Sequence, residues 1–280
     1  MDKREIAKRN HILQRRYELK YFPKVKKAID KEISSLIETV RSEGVQAGMN
    51  SLQRQLGGTD IPLVVQDLYL KVGLRFARIQ WSQLLVQKRM QTKGFGFNDV
   101  WVGFIKDYLF RFLLEKITFK VSEYMREVLL NTLNESIEKG WGVDKTVRAL
   151  QDLPLSRYQA ARIVRTEVTR AANTGAMAAG STFEYEQSKE WISANDARTR
   201  GNDPKDHASH VRLDGTVIDY DEYFTDSRNG DKLRFPGDPG GNGIPETKPE
   251  STINCRCTVA IVAKVDERGR LIPKKNLVLV

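Results

Sequence analysis

From Pro23 to about Gly180 the apolar residues of this chain recur every three or four positions, and then the rhythm stops. Such spacing belongs to helices that bury one face. Val25, Ile29, Ile33, Leu36, Ile37 and Val40 predict a helix from Pro23 to Glu43, weakened by Gly44 and Gly48. The GGTDIP break follows, with Thr59 or Asp60 able to cap and Pro62 placed early in the next helix. Val64, Leu68, Val72, Phe76 and Ile79 carry that helix to about Met90. KGFGFND interrupts again, and Asn98 can cap. Trp101, Phe104, Ile105, Tyr108, Leu109 and Phe112 then form a wide aromatic stripe, read as helix packing. Further helices are predicted from about Val121 to Lys139, from an Asp144 cap to Asp152, and from a Ser156 cap to near Gly180.

Beyond residue 181 Gly, Pro, Asn and Asp crowd the sequence. EWISA, GTVID and CTVAIV read as short strands. FPGDPGGNGIPETKPE holds four of the nine prolines. It reads as an extended loop whose ends something else must fix. The expected fold class is α+β: a long helical N-terminal region, then a small α+β C-terminal domain with short strands and long Pro/Gly loops.

Charge follows the same division. Residues 1–150 carry 27 Lys and Arg against 17 Asp and Glu, whereas residues 151–280 carry 19 of each, so the net +10 lies wholly in the first half. A basic half can bind DNA without sequence preference through counterion release, or it can be a solvated helical surface. No apolar run approaches a membrane span. MDKREIAKRNHILQRR has no signal-peptide core, and the expected place of synthesis and use is the cytoplasm, where thiols stay reduced.

The two cysteines, Cys255 and Cys257, stand on alternate residues of STINCRC. In a strand both would face one side and Arg256 the other. A disulfide between them would strain a strand. They therefore pack as a buried pair or hold a metal. His207 and His210 in DHASH supply H-x2-H, and two His with two Cys is a zinc set by ligand type, although C-x-C is tighter than zinc-finger spacing. Asp196 is an alternative fourth ligand. In RTEVTR, Glu167 and Arg170 lie three residues apart on an Ala-rich helix and can pair as a buried or interfacial ion pair against the β region. ANDARTR offers Asp196 and Arg198 after a strand, for catalysis or for tying the following loop. No phosphate loop, H-E-x-x-H or nucleophile elbow is present.

The order ARIVRTEVTRAANTGAM, KEWISANDARTR, HVRLDG, LRFPGDP, NCRC resembles the Mu-F-like phage head morphogenesis proteins, the minor head proteins of tailed phages. The resemblance covers about residues 140–262, and five pieces in order are more specific than any one. It divides the chain into a helical, basic region 1–140, a head morphogenesis domain 141–265 and a tail 266–280. It implies a non-enzymatic virion component, present in few copies near the portal and assembled in the host cytoplasm. Its implied partners are the portal protein and other head proteins, with packaged double-stranded DNA handled or ejected, and no membrane. Arg165, Thr166, Glu167, Asp196, Arg198, His210, Asp214, Gly215, Cys255 and Cys257 match family positions. His207 falls in extra loop, and a histidine that often precedes the family's N-C-R-C is replaced here by Thr252 and Ile253. The competing function is an enzyme, either a metal-dependent nuclease using Asp196, Asp203, Asp206, His207 and His210 or an ADP-ribosyltransferase-like domain.

Overall fold

The structure, a computed structural model, describes residues 3–54, 60–88, 97–112, 114–241 and 245–274. The expected cap at Thr59 and most of the KGFGFND break lie outside them. The fold is α+β. Its helices run in the order α1 (Lys3–Glu43), α2 (Val45–Arg54), α3 (Asp60–Gln87), α4 (Asn98–Phe112), α5 (Leu114–Glu138), α6 (Val143–Asp152) and α7 (Leu155–Ser181). The strands and short helices follow: β1 (Gln187–Ile192), α8 (His210–Leu213), β2 (Val217–Asp219), β3 (Phe224–Thr225), β4 (Lys232–Leu233), α9 (Pro249–Thr252) and β5 (Thr258–Ala263).

Helix α1 starts twenty residues before the expected Pro23, which lies inside it. The reason is a sparse stripe: Ala7, Gln14, Tyr21 and Ala28 are all buried at seven-residue spacing. One small residue and one amide carry too little apolar signal to be read. Two expected caps also differ. Gly142 is the N-cap of α6, with Asp144 in its first turn, and Ser156 lies within α7.

The chain forms two compact units. The first comprises Leu19–Val65 and Leu113–Val164. It is helical, with α5 packed against α2 and α6. Val25, Ile29, Ile33, Leu36, Ile37 and Val40 are buried as their spacing requires, together with Met125, Leu129, Leu133, Val147 and Leu150. The buried hydroxyls of Ser136 and Thr146 meet at 2.5 Å.

The second unit comprises Met1–Glu18, Gln66–Phe112 and Arg165–Val280. A three-stranded antiparallel sheet in the order β2-β1-β5 stands at its centre, with Trp191 opposite Val259. Helix α7 meets α3 where Gly175 faces Gly73 so closely that a Cβ on Gly175 would lie 2.1 Å from the Gly73 carbonyl oxygen. From the aromatic stripe of α4, Trp101, Ile105, Tyr108 and Leu109 are buried. Trp101 stands edge-on to Trp81, which also meets Phe183.

The outer edge of β5 is occupied by side-chain amides. Asn173 Oδ1 accepts from Val259 N at 3.0 Å, Gln80 Oε1 from Ile261 N at 3.3 Å, and Gln87 Oε1 from Ala263 N at 2.8 Å. Asn173 and Gln80 also donate to the carbonyls of Cys257 and Ile261. An edge strand needs such partners once it is buried.

Candidate metal centre

Helix α7 enters the sheet unit through Arg165 and Thr166, and both hold one residue. Thr166 Oγ1 accepts from the Asn254 backbone N–H at 2.9 Å, and Arg165 Nη1 donates to Asn254 Oδ1 at 3.2 Å. Asn254 is left-handed, with φ of 59°, a conformation that asparagine tolerates better than most residues. That turn corrects the strand expected for the cysteines: Cys255 and Cys257 precede β5, which begins at Thr258. The alternation nevertheless holds. Both sulfurs reach His210, while Arg256 turns to Asp196, donating from Nη2 to Oδ1 at 2.7 Å.

His210, Cys255 and Cys257 are 1–2% exposed. The His210 Nδ1 lies 3.6 Å from Cys255 Sγ and 3.5 Å from Cys257 Sγ. A tetrahedral zinc, with Zn–S near 2.3 Å and Zn–N near 2.0–2.1 Å, sets its N···S edges at about 3.6 Å. Donor type and spacing therefore both fit a metal, and a sulfur–imidazole hydrogen-bonded cluster fits the same distances. The Cys255 thiol is brought down to about 7: burial opposes ionisation, but hydrogen bonding with Cys257 and the charges of Arg200 and Arg256 outweigh it. The Cys257 thiol is pushed well up, first by burial and then by Cys255. His210 is held at α8, where Ser193 Oγ donates to its carbonyl at 2.5 Å and Trp191 meets its ring edge-on at 5.0 Å. Its Nε2 is buried without a hydrogen-bond partner.

His207 is exposed and outside this group. Asp196 is also outside it. Partial burial works against Asp196 ionisation, but Arg256 and the Arg198 N–H outweigh that and hold the carboxyl below its ordinary range. Asp203 and Asp206 shape their own loop, Asp206 accepting from Gly201 N at 2.8 Å. Among the described residues the five nuclease candidates are not gathered, and His210 clusters with the cysteines.

The other motif residues are tied internally. Glu167 accepts from Tyr69 Oη at 2.8 Å and pairs with Arg170 at 2.7 Å, all buried. Burial pushes the Glu167 carboxyl up, against the pull of Arg170 and Tyr69. Arg170 also donates to the Gly237 carbonyl at 2.7 Å. Asp214 accepts from Ser193 N and from Asn195 Nδ2, and Gly215, at φ of 75°, returns its N–H to the Trp191 carbonyl.

Sequence reasoning missed what fixes the Pro/Gly loop. Asn173 donates to the Pro236 carbonyl at 2.8 Å. The buried Asp238 takes both Arg234 Nε and Nη2 at 2.8 Å, and Asp231 takes Lys248 N and Ser251 Oγ. Asp226 takes Ser209 N at 2.7 Å, next to His210. Aspartates in a Gly-rich stretch read as solvated turn formers. Only the Asp238-Pro239-Gly240 piece hinted at a role.

Residues 127–260 match the family described as phage Mu protein F like protein. That stretch is similar to the Mu F-like proteins. It contains every motif residue named above, from Arg165 to Cys257, and the whole candidate metal centre. A relative of the chain is the uncharacterized protein YqbB of Bacillus subtilis (strain 168), 27% identical over 148 residues, or 51% of this chain and 45% of that protein. The chain thus spans just under half the length of this curated relative. No solved structure matches the chain. No described helix is long and apolar enough to cross a membrane.

Proposed function

We propose that this chain is a non-enzymatic minor head protein of a tailed phage, positioned in the virion near the portal and acting in head assembly and in handling or ejection of packaged DNA. The Mu F-like match over residues 127–260 carries this reading. The use of the motif side chains supports it: Glu167, Asp196 and Asp214 spend their oxygens on internal partners. On this reading residues 141–265 form the head morphogenesis domain, residues 1–140 a basic helical region that meets portal, head proteins or DNA, and residues 266–280 a tail.

The centre at His210, Cys255 and Cys257 would serve that role as a structural zinc site. The metal would join the N-C-R-C turn to α8 and so hold the final strand and the preceding loop to the rest of the domain.

The test is to purify heads made with and without this chain, fractionate them on a gradient and probe them by mass spectrometry. The chain should sediment with heads in fewer copies than the major capsid protein, cross-link to the portal, and lower the yield of DNA-filled heads when omitted. Its absence from purified heads would refute the proposal. Incubation with plasmid and Mg²⁺, Mn²⁺ or Zn²⁺, and separately with NAD, should give no turnover. Nicking or NAD loss that tracks the protein would favour the enzyme reading.

A further inference from the structure

On the side of the N-C-R-C turn away from the sulfurs lies a cavity of about 340 Å³. Helix α1 contributes His11, Gln14 and Arg15, helix α7 contributes Arg165, and the loop after β1 contributes Arg198. Arg256 closes it from the turn itself.

The charges in this cavity do not balance. Four guanidiniums meet two carboxylates, Glu18 and Asp196. Arg15 pairs with Glu18 at 2.7 Å and Arg256 with Asp196, which spends both acids. Arg165 has only the neutral Asn254 carbonyl group, and Arg198 has no side-chain partner among the described residues. Burial works against the Arg165 charge; Glu18 opposes this, and Arg198, Arg256 and Arg15 add to it. Like charges held together in a partly desolvated cleft cost free energy unless an anion joins them.

A second observation points the same way. Gln14 is 3% exposed, yet its Nε2 donor has no hydrogen-bond partner. The neighbouring His11 hydrogen-bonds to the Arg256 backbone through its ring. Buried donors are rarely left without acceptors. Two guanidiniums with no carboxylate bound to them and an unused amide call for an occupant with two negative charges and several acceptor oxygens. A carboxylate supplies one charge and two oxygens. A phosphoryl group supplies about two charges and at least three oxygens, and arginine matches it with paired donors.

We propose that this cavity is a phosphate-binding site, in which Arg165 and Arg198 neutralise a phosphoryl group and Gln14 donates to one of its oxygens. The group can come from a free phosphate compound or from a DNA strand. The site does not depend on the head-protein reading and stands or falls separately.

The experiment is isothermal titration of the full-length chain with inorganic phosphate at constant ionic strength, chloride serving as control. Saturable one-to-one binding is expected, weakened at least tenfold in Arg198→Gln, a change at an exposed side chain. Gln14→Leu is expected to weaken binding several-fold while leaving the melting temperature unchanged or higher, because it removes an unpaired buried amide. A second arm measures a short duplex with a 5′-phosphate against its 5′-hydroxyl twin, with phosphate as competitor. Competition, with loss in Arg198→Gln, assigns the group to DNA. Phosphate binding without any effect of Arg198→Gln on the duplex assigns it to a free compound. No saturable phosphate binding, or equal binding by the wild type and both variants, would overturn the proposal.

Discussion

Replacing Asn173 by alanine should be among the most damaging single changes in the sheet unit. The side chain is 2% exposed and makes three hydrogen bonds. It donates to Pro236 O at 2.8 Å and Cys257 O at 3.1 Å, and accepts from Val259 N at 3.0 Å. Alanine would leave two carbonyls and one N–H buried without partners. Each orphan costs about 1–3 kcal/mol, so with partial relaxation the loss should be about 3–6 kcal/mol. That is a large share of the ~5–15 kcal/mol that holds a typical domain together. Asn173→Asp should be at least as harmful at neutral pH, because it keeps the acceptor for Val259 but sets an oxygen against both carbonyls. The assay is urea unfolding followed by circular dichroism, with the slope compared between variants so that a shifted midpoint reads as stability. A loss below about 1 kcal/mol for Asn173→Ala would show that the clamp on the loop and on β5 lies elsewhere.

Elemental analysis of purified protein should find close to one zinc per chain, and Cys257→Ser should release it and destabilise the C-terminal part strongly, since metal binding is coupled to folding; stable protein without metal would leave the three residues as a packed cluster. Gly175→Ala should lower the melting temperature sharply or prevent folding, because the new methyl would meet the Gly73 carbonyl at 2.1 Å; a wild-type melt would mean that α3 and α7 can separate at little cost. Burial lowers the Lys189 ammonium to about 8, with Asp221 and Asp238 opposing and Arg234 adding to the effect. The folded value lies below the free one of 10.5, so this penalty is fully present below about pH 8 and fades as pH rises towards 10.5. Lys189→Met should therefore gain about 1–3 kcal/mol at pH 7 and flatten the rise above pH 8, which thermal melts across pH will reveal. Full-length protein should bind duplex DNA of any sequence at low salt and lose affinity steeply as salt is added; salt-insensitive binding would argue against contacts with the phosphate backbone.

The sequence carried the architecture wherever periodicity was strong. The stripes of α1 after Pro23, of α3 and of α4 were legible because large apolar residues recur at helical spacing. Strands β1, β2 and β5 emerged from EWISA, GTVID and CTVAIV to within a few residues. The first twenty residues of α1 escaped because their buried stripe is Ala7 and Gln14 rather than leucine or valine. Within the site, the Glu167–Arg170 pair and the shared direction of the two sulfurs could be read from spacing. The turn at Asn254 could not, because it depends on Arg165 and Thr166, some ninety residues earlier in the chain. The amide ties of Gln80, Gln87 and Asn173 were hidden for a similar reason: a polar residue on a helix reads as solvated until the strand beside it is known.

The alternation in N-C-R-C also explains why its cysteines are closer in sequence than in most zinc motifs. The three side chains are shared between opposite sides of one turn, sulfurs to His210 and guanidinium to Asp196. A fourth residue inserted between the sulfurs would swing one of them, or the arginine, across the backbone. A charge would then face the histidine, or a thiol would face the acid, and neither side would find its partner. The spacing is thus set from both directions at once, so length changes at this turn should be tolerated far less than substitutions within it.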